Sequence, residues 1–128
     1  MAVLVVLGSL TPVGDDIWAA EPDSFKRIAA RYDKHIRLLL ETYCFRCHRS
    51  EQAEGDLDLA GLKTLTAARR NPRIWQKVLF MLENAEMPPK ESKQLATEEL
   101  TTLKNWVRTY LNAEALANAG DPGRVIMR

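Results

Sequence analysis

Cys44-Phe45-Arg46-Cys47-His48 is the stretch on which the reading of this chain turns. Two thiols three positions apart, followed directly by an imidazole, form C-x-x-C-H, the attachment pattern of a c-type haem. Each thiol can add to one vinyl group of the porphyrin, and the histidine is then held beneath the iron as its proximal ligand. These are the chain's two cysteines, so no disulfide framework exists. A bridge within the motif would leave His48 without a role. Zinc is another use of the same three side chains. Structural zinc takes four ligands, and only His35 or a carboxylate could complete that set.

Working outward, Phe25, Ile28, Ala29, Tyr32, Ile36, Leu39, Leu40 and Tyr43 recur at helical spacing. Asp23-Ser24 supplies an N-cap, and the pattern predicts a helix from there into Cys44 with a break near Asp33. Beyond His48, Arg49 to Asp56 is polar. Leu57, Leu59 and Leu62 read as a loop with apolar anchors, and Leu65 to Arg69 as a helical turn. Asn71-Pro72 gives a cap and a first helical position. Ile74, Trp75, Val78, Leu79 and Leu82 then mark a second helix that fades near Asn84. Met87-Pro88-Pro89 cannot continue it, because proline lacks the amide hydrogen. Thr97 caps a third helix, with Glu98 and Glu99 against its positive end. Its inner stripe is Leu100, Leu103, Val107, Tyr110 and Leu111, with Trp106 flanking, and Gly120-Asp-Pro-Gly123 ends it. The expectation is a small all-α domain, three main helices packed around a covalently bound haem, over residues 23–116.

At 128 residues one domain is the default. Hydrophobic content of 46% and charged content of 27% are ordinary globular values. A net charge of +1, with no basic block interleaved with aromatics, argues against a nucleic-acid binder. The apolar run Met1–Leu10 is too short to span a bilayer, so no stable membrane span is expected. It suits the apolar core of an export signal with Ala19-Ala20 as a small-residue cleavage site. No Lys or Arg precedes it, and a buried N-terminal strand is the alternative. Residues 1–22 are thus read as a signal-like segment and linker, and 117–128 as a tail or the start of a linker to a following domain. The expected location is periplasmic or otherwise exported.

Iron bound by His48 has one axial position left. A thioether there is a soft ligand that raises the reduction potential. Met1 is an initiator and Met127 sits in the tail. Met81 lies within the second helix, where packing explains it. Met87 lies in a proline-stiffened loop 39 positions after His48 (87 − 48), and the two prolines lower the entropy lost in holding that loop. Met87 is the favoured distal ligand, with Met81 or an open site as alternatives. His35 reads as a surface or core histidine. Tyr43 and Trp75 are candidates to line the haem pocket, and Trp106 to seal the contact between first and last helices. Arg46, Arg49, Lys63, Arg69, Arg70 and Arg73 are candidates to meet propionates or a partner, with a solvated charged face as the default.

Tyr43-Cys-Phe-Arg-Cys-His48, Glu54-Gly-Asp-Leu-Asp-Leu59, Trp75 to Leu82, Glu86-Met-Pro-Pro89 and Leu103-Lys-Asn-Trp-Val107 together resemble the planctomycete-type cytochrome c domain. That family is similar to class I cytochromes c and often stands at the N-terminus of large exported bacterial proteins. The resemblance covers about residues 25–115. It implies that Cys44 and Cys47 hold one haem c, that His48 is the proximal ligand and that Met87 is the distal one. It also implies that Asp121-Pro-Gly-Arg-Val125 is a junction to a further domain. Arg49 departs from the pattern, where a glycine is common.

The functional expectation is an electron-transfer module with a His/Met haem, monomeric, passing electrons to a redox partner protein or adjacent domain, and no enzyme in itself. A haem-based sensor or small-ligand binder with a displaceable methionine is the alternative.

Overall fold

The computed structural model describes residues 21–49, 52–53, 55 and 57–119. The signal-like run, the Ala19-Ala20 site, the closing Gly120–Gly123 stretch and the tail lie outside the described residues. The described residues are all-α apart from one minimal hairpin.

The predicted first helix is present, but it starts at Glu21, ahead of Asp23-Ser24, with Pro22 in the first turn where a missing amide hydrogen costs nothing. It comprises α1 (Glu21–Arg31), a π-helical turn (Tyr32–Ile36) and α2 (Arg37–Tyr43). The expected break near Asp33 is this turn, in which the Arg37 N–H bonds the Tyr32 carbonyl five residues back. The cause lies in the spacing of the buried side chains Ile28, Tyr32, Ile36 and Leu40. A step of four residues drifts about 40° on a regular α-helix, so this row would spread over about 120°. One extra residue in a π turn brings the spread down to about 60°.

His48–Arg49 (β1) pairs antiparallel with Gln52–Ala53 (β2), a short ladder where only polar loop was expected. Gly55 follows in the left-handed region at φ 68, which suits a residue without a Cβ. Leu57, Leu59 and Leu62 lie on irregular backbone, as expected; Leu59 and Leu62 are buried. Next come α3 (Leu65–Ala68), whose Thr64 hydroxyl accepts the Ala67 N–H, α4 (Pro72–Glu83) and α5 (Thr97–Ala117). Asn71 precedes α4 but makes no side-chain cap. Thr97 is not the cap of α5 either. It is the first helical residue, and the Ala96 N–H is satisfied by Glu99 Oε2 at 2.9 Å.

The helices close on one another through aromatic rings. Trp106 stacks on Tyr110 (5.5 Å, 9°) and meets Trp75 edge-on at 5.2 Å; Tyr32 joins both tryptophans. The Trp106 indole N–H donates to the Ile28 carbonyl at 3.1 Å, the predicted seal between first and last helices. The Tyr32 hydroxyl donates to the Leu62 carbonyl and that of Tyr110 to the Ala68 carbonyl, so each ring also pins the 57–68 segment. The helix bundle therefore has a side-chain core of its own. The cavity described next lies beside it, bounded by the end of α2, the 55–59 segment, α4 and the loop between α4 and α5.

Candidate haem-attachment site

The helix ending in Tyr43 delivers the motif. Beyond it, the Cys44 and Phe45 amides still bond the Leu40 carbonyl, at 2.8 and 2.9 Å. The Cys44 carbonyl then accepts from both Cys47 N–H (3.2 Å) and His48 N–H (3.1 Å). This extra turn gathers two thiols and an imidazole on one side. The His48 carbonyl is pinned in its turn by the Leu59 and Ala60 amides, at 2.9 and 3.1 Å. The residue after the second thiol is thus held rigidly by backbone alone.

Cys44, Cys47 and His48 all line a cavity of about 280 Å³, near the roughly 300 Å³ lower bound of small-molecule sites. Tyr43 and Leu57 continue the wall on the motif side, and Val78, Met81, Leu82 and Leu103 form the wall of helix α4 and α5. Met87, Pro88 and Pro89 close the far side. Lys77 is the cation of the cavity wall among the described residues.

The donor set fits a haem. His48 lines the cavity; its Nδ1 is buried with no hydrogen-bond partner among the described residues, and in a metal-bound imidazole the ring nitrogen away from the metal still takes a partner of its own. Cys44 and Cys47 are half-buried and not bridged. Burial, with Cys47 beside it, pushes the Cys44 thiol up to about 11. It is therefore a neutral thiol at physiological pH, not an exposed nucleophile. Apolar walls, two thiols, an imidazole and thioethers suit a flat, apolar iron chelate. Among the described residues no three His, Cys, Asp or Glu side chains are grouped to hold a bare metal ion, and His35 is exposed on the π turn.

Met87 reaches the site through the end of α4. Ala85 takes a left-handed φ of 54. The Glu86 N–H bonds the Met81 carbonyl (3.0 Å) and the Ala85 N–H that of Leu82 (3.4 Å), the paired bonds of a Schellman stop. The Met87 N–H adds a bond to the Met81 carbonyl at 3.3 Å. Both methionines therefore face the cavity, Met87 with 36% of its surface exposed. Met81 was read as packing from its place in the helix, and nothing in its i, i+4 relation to Lys77 distinguishes a cavity wall from a core stripe.

Tyr43 lies on the cavity as expected, and its hydroxyl donates to Glu99 Oε2 at 2.7 Å. That bond raises the phenol and is the main cause of the lowered Glu99 carboxyl, with the Ala96 N–H next. Trp75 is fully buried in the aromatic core rather than among the cavity-lining side chains, and its Nε1 has no partner among the described residues. Of the basic side chains singled out from the sequence, none lines the cavity. Arg69 instead pairs with the buried Glu114 at 2.5 Å and covers the Phe25 ring. Sequence reading missed Lys77 and Glu99; Glu99 was visible only as a favourable charge at a helix start.

The family model of the planctomycete cytochrome C matches residues 44–91, from the first thiol past Met87. Over these residues the chain is similar to the planctomycete cytochrome C family. The match is narrower than the 25–115 span of the sequence resemblance, but it contains the whole motif, α4 and the Met-Pro-Pro loop. A cytochrome c domain of this kind carries haem and serves electron transfer. No curated protein and no solved structure matches the chain. No helix among the described residues is long and apolar enough to cross a membrane.

Proposed function

We propose that this chain is a single-haem electron-transfer module in which Cys44 and Cys47 hold the porphyrin, His48 is the proximal ligand and Met87 the distal one. The observation that carries the reading is convergence: all four side chains, from segments up to 43 positions apart (87 − 44), face one apolar cavity. Each thiol adds its sulfur and its proton across a vinyl double bond, so nothing leaves. The backbone bonds at His48 keep the imidazole in place, and the Schellman stop and the two prolines present Met87. Tyr43 and the leucine walls exclude water. When bound, the haem supplies a one-electron couple, which thioether ligation poises at high potential.

The unit that carries these side chains is taken as residues 23–116, exported and monomeric, working with a redox partner protein or an adjoining domain. The module performs no bond chemistry on a substrate.

Intact mass before and after acid–acetone extraction tests attachment: the haem stays on the chain if both thioethers form. The Met87→Ala holoprotein should show a lower reduction potential and bind added ligands, and Met81→Ala should keep the parent's spectrum. A Met87→Ala protein with the parent's spectrum and potential would remove Met87 as ligand. Carbon monoxide separates this reading from a ligand sensor, because rapid, full binding to the reduced parent would favour the sensor.

A further inference from the structure

We propose that Tyr43 and Glu99 form a latch that holds the loop carrying Met87 over the haem, so that distal ligation depends on a hydrogen bond made from the proximal side. This rests on the His48/Met87 reading above.

The loop after α4 is a knit unit. The Pro89 carbonyl accepts the Ser92 N–H at 2.9 Å and Gln94 Nε2 at 2.7 Å, and Gln94 also reaches the Ser92 carbonyl. Its first end is tied to α4 by the Met87 N–H on the Met81 carbonyl. Its second end is tied to Tyr43. The ammonium of Lys93 sits 5.1 Å over the Tyr43 ring, and Glu99 Oε2 accepts from both the Tyr43 hydroxyl and the Ala96 N–H. Tyr43 immediately precedes Cys44 and lines the cavity with Pro89 and Ser92. One side chain thus couples the thiol motif to the segment that follows the distal ligand. A thioether is a weak, soft donor, so the fraction of time it leaves the iron depends on how firmly its loop is held. An exogenous ligand reads that fraction directly, because its apparent affinity scales with the open population.

The test is an optical titration of the ferric holoprotein with imidazole, beside its thermal midpoint. Tyr43→Phe should bind imidazole several-fold to about tenfold more tightly, the scale of one lost hydrogen bond. Glu99→Gln, which keeps an acceptor oxygen, should lie nearer the parent. Glu83→Gln breaks the Arg108–Glu83 pair between α4 and α5 away from the cavity, and should leave imidazole affinity at the parent's value. If Tyr43→Phe fails to acquire haem, Glu99→Leu removes the acceptor from the other side and carries the same expectation. Parent-like affinity in the latch variant that holds haem overturns the latch alone. Parent-like affinity in Met87→Ala overturns the ligand assignment, and the latch with it.

Discussion

Ala85 shows how one residue can be settled by its neighbours against its own preference. It sits at the position after the cap of α4, where the chain must turn left-handed to complete the Schellman bonds. Glycine is the usual occupant, because a Cβ makes that conformation costly. Ala85→Gly should therefore stabilise the protein by about 0.5–1 kcal/mol in denaturant unfolding, less the extra freedom glycine gives the unfolded chain. The stop it forms is what brings Met87 back to the carbonyl of Met81. At this scale the attachment motif was fully legible, since spacing alone places two thiols and an imidazole together. Lys77 and Glu99 were not, because a charge on a helix face looks the same whether it meets solvent, a cavity or a partner hydroxyl.

The long first helix is the element with the clearest internal conflict. Its buried row advances by fours, and the π turn absorbs the mismatch. Deleting the exposed Lys34 should convert that turn to ordinary α-helix while leaving Ile28, Tyr32, Ile36 and Leu40 on one face. Helical circular dichroism should persist, with a change of within about 1 kcal/mol. Inserting an alanine after Lys34 instead turns the two halves about 100° apart. It should unfold the protein, because each misplaced core side chain forfeits about 1.5–3 kcal/mol. The apolar stripe and the break near Asp33 were readable from the sequence. The caps were less so: a helix start depends on which amides find acceptors, and Glu99 reaching back to Ala96 displaced Thr97 from that role.

At the scale of the described fold, aromatic packing and the cavity lined by the thiol motif are neighbours rather than one core. Trp106 is 1% exposed, contacts Tyr32, Trp75 and Tyr110, and bonds the first helix. Trp106→Ala should cost about 3–5 kcal/mol in thermal or denaturant unfolding, with the optical spectrum of the folded holoprotein unchanged. A shift in iron ligation would mean that the two regions are not separate. Trp75 marks the same boundary: its apolar spacing identified it as buried, but not on which side of α4 the cavity would lie. Amino-acid order by itself determined the all-α class, the three main helical segments and the thiol–imidazole motif, because these follow from periodicity and spacing along one chain. Only the tertiary structure decided that Met81 and Lys77 share the cavity with Met87, that Tyr43 meets Glu99, and that the tryptophans form a core apart, because such contacts depend on how distant segments are oriented once they pack.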